Sequence, residues 1–207
     1  MNISATTLIS WQGYRHKETG VIVYYDSCET ALLPIRTNSN KKGKPADADP
    51  NYETATYGLY SCNASRHRTN FVKNKFGYVF FMTKYQGANA KFKDKMMITG
   101  YYKIGSTAEV QKFHLRNFGL EGSSCFAEKM CYALKVADGE NNIVFLSEED
   151  SYVLTKISLA ALGIDKKITK ATKIELDEEK TKKLLKKFEG KENRIADYIA
   201  QTKAANA

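Results

Sequence analysis

The sequence predicts an α+β protein with a mainly β body and a helical tail. Short runs rich in β-branched and aromatic residues recur through the first two thirds of the chain and are typical of strands. The last third instead shows apolar residues at helical spacing next to capping residues. Because strands and helices do not alternate along the chain, a parallel nucleotide-binding sheet is disfavoured.

The predicted strands are separated by polar, turn-forming stretches. The segment Gly87–Lys95 is expected to be a long basic hairpin loop, and Asp138-Gly139 predicts a tight turn. The breaker-rich stretch Thr37–Pro50 is expected to be an exposed loop. The predicted strands are Gly20–Tyr25, Thr56–Tyr60, Tyr78–Thr83, Met96–Ile104, Cys131–Val136 and Asn142–Leu146.

Three helices are predicted in the last third. The first spans Leu154–Gly163, with Gly163 as its C-cap, and Asp177 is expected to cap the second. The second runs to Phe188, and its lysines are expected to form a solvated face. The third spans Asn193–Thr202. The chain would then consist of a body, residues 1–163, and a basic helical C-terminal extension, residues 164–207, packed on that body.

Composition limits the kinds of partner and site that the chain can have. The chain has 207 residues, a net charge of +9 and 43% hydrophobic residues, which predicts a folded protein with an anionic partner. The N-terminus shows no leader and no run is long enough to span a bilayer, so we expect a cytoplasmic protein without membrane contact. Four cysteines and three histidines lack zinc-site spacing. We therefore predict no metal site, no cofactor and no catalytic residue.

The most basic part of the chain is Tyr60–Lys103. It carries nine Lys or Arg against one acid, Asp94, which gives a net charge of +8. Aromatic residues stand among these cations, and such a mixture can stack bases and neutralise phosphates. The sequence therefore predicts DNA or RNA as the partner.

Two motifs in this part also carry a resemblance. Ser61–Arg68, followed by Gly77–Met82, resembles the core of the PUA-like superfamily, most closely its EVE and YTH branches. Asn63 and Arg66 fall in the first family segment, Gly77 takes the family glycine, and Ile98–Ile104 is similar to the next strand. The resemblance implies a small, curved, mixed β-barrel with surrounding helices. It also implies a reader that holds a flipped, modified base, of a kind linked to restriction or RNA metabolism.

A reader of methylated adenine or cytosine needs aromatic surfaces around the methyl group and polar groups for the base edge. Strand alternation sends Tyr101 and Tyr102 to opposite faces, and we expect that Phe80 and Phe81 cannot both face inward. Aromatics outside the pocket would then pack in the core. The candidate pocket residues are Trp11, Tyr60, Ser61, Asn63, Phe81, Tyr85, Tyr101 and Tyr102. The candidate phosphate-binding residues are Arg66, His67, Arg68, Lys73, Lys84 and Lys103.

Two alternatives remain open at the level of sequence. One is a nuclease or a nucleotide- or base-modifying enzyme, which would need Asp26, Glu29, Asp94 or the acids at 148–150 to converge beside the basic face. The other is a structural basic protein that binds nucleic acid without base selectivity. A reader without catalytic residues would require a separate nuclease or motor subunit as a partner if it acts in restriction.

Overall fold

The computed structural model describes residues 10–15, 17–25, 50, 52, 55–57, 76–85, 89–110, 131–137, 144, 149–165, 167–169, 173–197 and 200. These residues form an α+β arrangement in which helices pack on an open, mixed β-sheet of eight strands. The predicted fold class is confirmed at this level.

The sheet has the order β3-β6-β5-β4-β2-β8, with β1 and β7 also paired to β5. Strands β2 and β4 are parallel, and the other pairs are antiparallel. The strands are β1 (Gln12–Gly13), β2 (Gly20–Tyr24), β3 (Thr56–Tyr57), β4 (Tyr78–Lys84), β5 (Met96–Val110), β6 (Cys131–Val136), β7 (Tyr152–Val153) and β8 (Ile174–Leu176).

The predicted strands near residues 20, 56, 78, 96 and 131 are thereby confirmed, although β3 is described only as far as Tyr57. The predicted strand Asn142–Leu146 lies outside the described residues except for Val144. The loop predicted over Thr37–Pro50 also lies outside them except for Pro50. Three short strands, β1, β7 and β8, were not predicted.

Strand β5 is the centre of the sheet. Its first half pairs with β4 and β7, and its second half pairs with β6 and β1. The register shifts between Ile104 and Ser106, where β5 passes from one set of partners to the other. This single long strand therefore connects the two halves of the sheet.

Both faces of β4 are buried. Val79 and Phe81 point into one core cluster together with Tyr102, whereas Phe80 and Met82 point into a second cluster on the other face. Phe80 and Phe81 are both 0% exposed, so the expectation that only one of them faces inward was wrong. That expectation assumed one solvated face, but this sheet is covered on both. The predicted separation of Tyr101 and Tyr102 is confirmed, since Tyr101 packs against the second cluster.

Helices α1 (Lys156–Ala161) and α2 (Glu178–Leu185) lie within the two predicted spans, but α1 begins two residues later than predicted and α2 ends three residues before Phe188. Gly163 follows α1 with φ of 68°, in the left-handed region, and the Asp177 side chain accepts a hydrogen bond from Lys180 N at the start of α2. Leu184 and Phe188 pack into the second cluster. Residues 195–197 and 200 are also helical, within the third predicted helix.

Lys182 and Lys183 of α2 face solvent. Lys182 pairs with Glu178 at 2.6 Å and Lys183 pairs with Glu179 at 2.7 Å, one helical turn apart in each case. These exposed pairs match the predicted solvated face. The predicted division of the chain into two parts at residue 163 stays a prediction. Strand β8, which follows this division, pairs directly with β2 of the body. Within the part of the chain that the structure describes, no helix is long and apolar enough to cross a membrane.

The backbone of other segments passes very close to two glycines of β5. A Cβ atom on Gly100 would lie 1.8 Å from the Val144 carbonyl oxygen, and one on Gly105 would lie 2.2 Å from the Ala137 Cα. Both obstacles are backbone atoms, which cannot swing aside as a flexible side chain can. Only a residue without Cβ fits at these two positions.

We expect Gly100→Ala and Gly105→Ala each to lower the free energy of unfolding by about 3 kcal/mol or more, because the added methyl group forces backbone apart. Urea unfolding followed by circular dichroism measures the change. Gly13→Ala is the matched control, since a Cβ there meets no atom within 4 Å. Equal stability of Gly100→Ala and Gly13→Ala would contradict the close packing of Val144 on β5.

Candidate nucleic-acid interface

The loop between β4 and β5 has a core of its own. The rings of Tyr85 and Phe92 are both 5% exposed and meet edge to face, with centroids 6.0 Å apart. Met97 completes this small cluster, and Val153 packs against it. The Tyr85 amide donates to the Lys95 carbonyl at 2.9 Å, which continues the pairing of the two strands into the loop. The described part of the loop is therefore a packed extension of the sheet.

Asn89 organises the turn. Its carbonyl oxygen accepts from the amides of Phe92 and Lys93, both at 3.1 Å, and its side-chain Oδ1 accepts from the Lys91 amide at 3.1 Å. Its own amide donates to the Tyr85 hydroxyl at 3.2 Å. One residue thus satisfies backbone donors that a short loop would otherwise leave to water.

The outer surface of this loop is cationic. Lys91, Lys93 and Lys95 are exposed, and the Lys91 ammonium lies 5.0 Å from the centroid of the Phe92 ring. We call residues 84–95, whose loop part is described from Asn89 onwards, the basic hairpin. Its sequence holds four lysines and one aspartate, a net charge of +3.

Asp94 is the acidic residue of the basic hairpin. Its carboxylate pairs with Lys84 Nζ at 2.6 Å, and its backbone has a φ of 61°. The hydrogen bond from Lys84, and next the charge of Lys84, lower the pKa of Asp94 below its ordinary value. The carboxylate therefore stays ionised and partly neutralises Lys84, while the three exposed lysines project from the loop.

Half of the predicted site lies outside the described residues. This applies to three pocket candidates and four phosphate candidates: Tyr60, Ser61, Asn63, Arg66, His67, Arg68 and Lys73. Their roles stay predictions.

The described pocket candidates do not come together at one surface. Phe81 and Tyr102 are 0% and 1% exposed, and their rings meet in the first core cluster, with centroids 4.7 Å apart. Tyr101 lies on the opposite face of the sheet beside Phe188, and burial raises the pKa of its hydroxyl. Tyr85 packs inside the basic hairpin, and the partly exposed Trp11 precedes β1.

The two described phosphate candidates also lie apart. Lys84 pairs with Met96 at one end of the β4–β5 ladder, whereas Lys103 pairs with Tyr78 at the other end. Six residue steps along a strand span about 20 Å. A single phosphate cannot contact both lysines, so Lys84 belongs to the basic hairpin and Lys103 does not.

The acids considered for catalysis are only partly described. Asp94 pairs with Lys84, and Asp150 pairs with Lys191 at 3.1 Å. Asp26, Glu29 and Glu148 lie outside the described residues. Among the residues that are described, no group of three His, Cys, Asp or Glu side chains could hold a metal ion.

Sequence reasoning missed the residues that shape the basic hairpin. It identified the lysines and the lone Asp94, but it did not assign Asn89 and Phe92 a role or pair Asp94 with Lys84. The signal for Asn89 was present, because the side chain of Asn readily forms a hydrogen bond with the backbone two residues ahead.

We compared the chain with models of known protein families, with curated proteins and with solved structures. None of the three comparisons gives a match.

We expect Asn89→Ala to loosen the basic hairpin without unfolding the sheet, because it removes the side-chain acceptor for the Lys91 amide while the Tyr85 and Phe92 rings remain packed. Hydrogen exchange read by mass spectrometry should show faster exchange in peptides over residues 89–95 and unchanged exchange in β5. Lys93→Ala, an exposed change on the same loop, is the control. Unaltered exchange of the loop in Asn89→Ala would show that the Asn89 side chain does not order it.

Proposed function

We propose that this chain binds DNA or RNA through the basic hairpin. The observation that carries the proposal is the set of exposed lysines, Lys91, Lys93 and Lys95, held on a loop with its own aromatic core. Lysine ammonium groups that neutralise phosphates release condensed counterions, which favours binding. Because hydrogen bonds to Asn89 already fix residues 91–93, this part of the hairpin loses less conformational entropy on contact with a nucleic acid.

The basic hairpin is suited to phosphates rather than to bases. Its aromatic rings, Tyr85 and Phe92, are buried against each other and offer no face for stacking. The Asn89 Oδ1 already accepts the Lys91 amide. The exposed groups that remain are mainly cations, which position a nucleic acid without reading its sequence.

Recognition of a flipped, modified base is the finer form of this proposal. Its support is the resemblance of Ser61–Arg68 and Gly77–Met82 to the PUA-like superfamily. It would place the base near Tyr60, Ser61 and Asn63, with the basic hairpin as a separate phosphate contact. Closure of the sheet into a barrel is also part of this finer proposal. The described strands form an open sheet that runs from β3 to β8.

The triple variant Lys91→Gln, Lys93→Gln, Lys95→Gln tests the interface. We expect the slope of log affinity against log salt for duplex DNA to fall in magnitude by about 2 to 3, because up to three phosphate contacts are lost. Fluorescence anisotropy at a series of salt concentrations measures this slope, with matched single- and double-stranded DNA and RNA. The matched control is Lys183→Gln, Lys186→Gln, Lys187→Gln, which removes the same charge from exposed positions on and just after α2. Equal effects of the two triple variants would show that only total charge matters.

Asp94→Asn probes the electrostatics of the same surface. Asn tolerates the left-handed backbone at this position and removes the charge that neutralises Lys84. We expect tighter binding and a salt slope steeper by about 0.9, the value of one added phosphate contact. Weaker binding of Asp94→Asn in the anisotropy titration would instead mean that the pair holds Lys84 in its binding position.

Base recognition is tested with oligonucleotides that differ only in 6-methyladenine, 5-methylcytosine or 5-hydroxymethylcytosine. If a separate pocket reads the base, the triple lysine variant should lose affinity equally for modified and unmodified strands, because it removes phosphate contacts only. Trp11→Ala should reduce the preference for the modified strand. Wild-type binding that ignores every modification would leave a nucleic-acid-binding protein without base selectivity.

A further inference from the structure

A second surface lies along α1, where a groove opens beside the helix. The groove has a volume of about 1060 Å³ and lies between α1, the start of β5 and the segment that follows α1. An apolar surface of this kind often marks a site of interaction. The larger apolar side chains of its lining are aliphatic: Met96, Leu154, Leu159, Ile164 and Ile168.

An exposed isoleucine stands next to this groove. Ile157 is 83% exposed, and among the described residues it is the only large apolar side chain that is exposed. Ala160 lines the groove and is exposed as well, as is Ala161 beside it. Because residues three and four positions apart share one face of a helix, Ile157 lies on the same face as both alanines. This face of α1 therefore joins an apolar projection to an apolar groove.

Hydrogen bonds hold both sides of the groove in place. After α1 the chain reverses at Gly163, whose φ is 68°, and the Ile164 amide donates to the Leu159 carbonyl at 2.9 Å. This Schellman motif brings Ile164 back beside Leu159 in the lining. On the β5 side, the Leu154 amide donates to the Met96 carbonyl at 2.8 Å. The groove is therefore formed before any partner binds.

The lining also contains one cation and one anion that are open to a partner. Lys156 is the first residue of α1, and Asp165 lies four positions beyond the last residue of the helix. Both are exposed, and neither forms an ion pair within the part of the chain that the structure describes. Lys167, the third charged residue of the lining, already interacts with another group of the chain.

We propose that this face of α1 and the groove beside it form a two-fold interface between two copies of the chain. A two-fold axis perpendicular to α1 sets the two helices antiparallel, so the start of one helix lies beside the end of the other and each contact occurs twice. Ile157 then packs against Ala160 of the partner subunit, at the edge of the partner's groove. Lys156 lies beside Asp165 of the partner subunit.

The surface favours a second copy because it is complementary to itself. It holds both the apolar projection and the groove that receives it, and it holds both members of an ion pair, as a contact between two identical patches requires. An anionic membrane fits less well, because Asp165 would face lipid head groups of its own sign. The interface lies outside the basic hairpin, so the proposal does not depend on nucleic-acid binding.

Sedimentation velocity of the full chain, freed of nucleic acid and run over a wide range of concentrations, tests the proposal. The interface is small, so we expect a monomer–dimer equilibrium with a dissociation constant on the order of tens of micromolar. Ile157→Asp should raise this constant about tenfold or more, because it places a charge in an apolar contact twice. The triple variant Lys91→Gln, Lys93→Gln, Lys95→Gln should dimerise like the wild type, which separates this surface from the basic hairpin.

Reversal of the two charges gives the sharpest test. Lys156→Asp alone brings two carboxylates together, and Asp165→Lys alone brings two ammonium groups together. Each variant should raise the dissociation constant about tenfold, because the two-fold axis repeats the repulsion. An equimolar mixture of the two variants pairs opposite charges at both contacts and should associate within about threefold of the wild type. The control is Lys187→Asp, an exposed substitution with the same change of charge, which should leave the equilibrium unaltered.

Four outcomes would overturn the proposal. The first is a wild-type chain that stays monomeric at every concentration. The second is a dimer that Ile157→Asp does not weaken. The third is a mixture of Lys156→Asp and Asp165→Lys that associates no better than either variant alone. The fourth is a monomer that binds anionic phospholipid vesicles through Ile157, which would assign the surface to a membrane.

Discussion

The close passage of backbone across strand β5 is the constraint on which the rest of the structure depends. At Gly100 and Gly105 the chain leaves no room for a side chain, since Val144 and Ala137 occupy the space of a Cβ atom. Strand β5 also carries partners along both of its edges, in each of its halves. Strand β5 positions its neighbours in turn: with β4 it presents the basic hairpin, and its partner β7 precedes the start of α1.

Burial of both faces of the sheet determines where binding groups can lie. Strand β4 is apolar from Tyr78 to Met82 because one core cluster covers each face. Its aromatic rings therefore pack in the interior, and side chains that could bind a ligand lie only at the ends of the strand. The basic hairpin, at one such end, carries exposed cations.

The sequence predicted those elements whose signals are local. Strands β2, β4, β5 and β6 are runs of β-branched and aromatic residues, and Asp177 and Gly163 mark helix ends by their own conformational preferences. Strands β1 and β7 have two residues each and β8 has three, too few to show a period. Their positions depend on partners distant in sequence.

The placement of acids, more than the number of lysines, separates the two basic surfaces of this chain. On α2, Lys182 and Lys183 each pair with a glutamate one turn away, so their positive charge is largely neutralised within the helix. In the basic hairpin the one carboxylate, Asp94, pairs with Lys84 and leaves three exposed lysines on a packed loop. A count of charges along the sequence favours the C-terminal lysines and the hairpin alike. From the pairing of side chains we expect the field outside the protein to be stronger at the hairpin, because an ammonium group beside a carboxylate attracts a distant phosphate weakly.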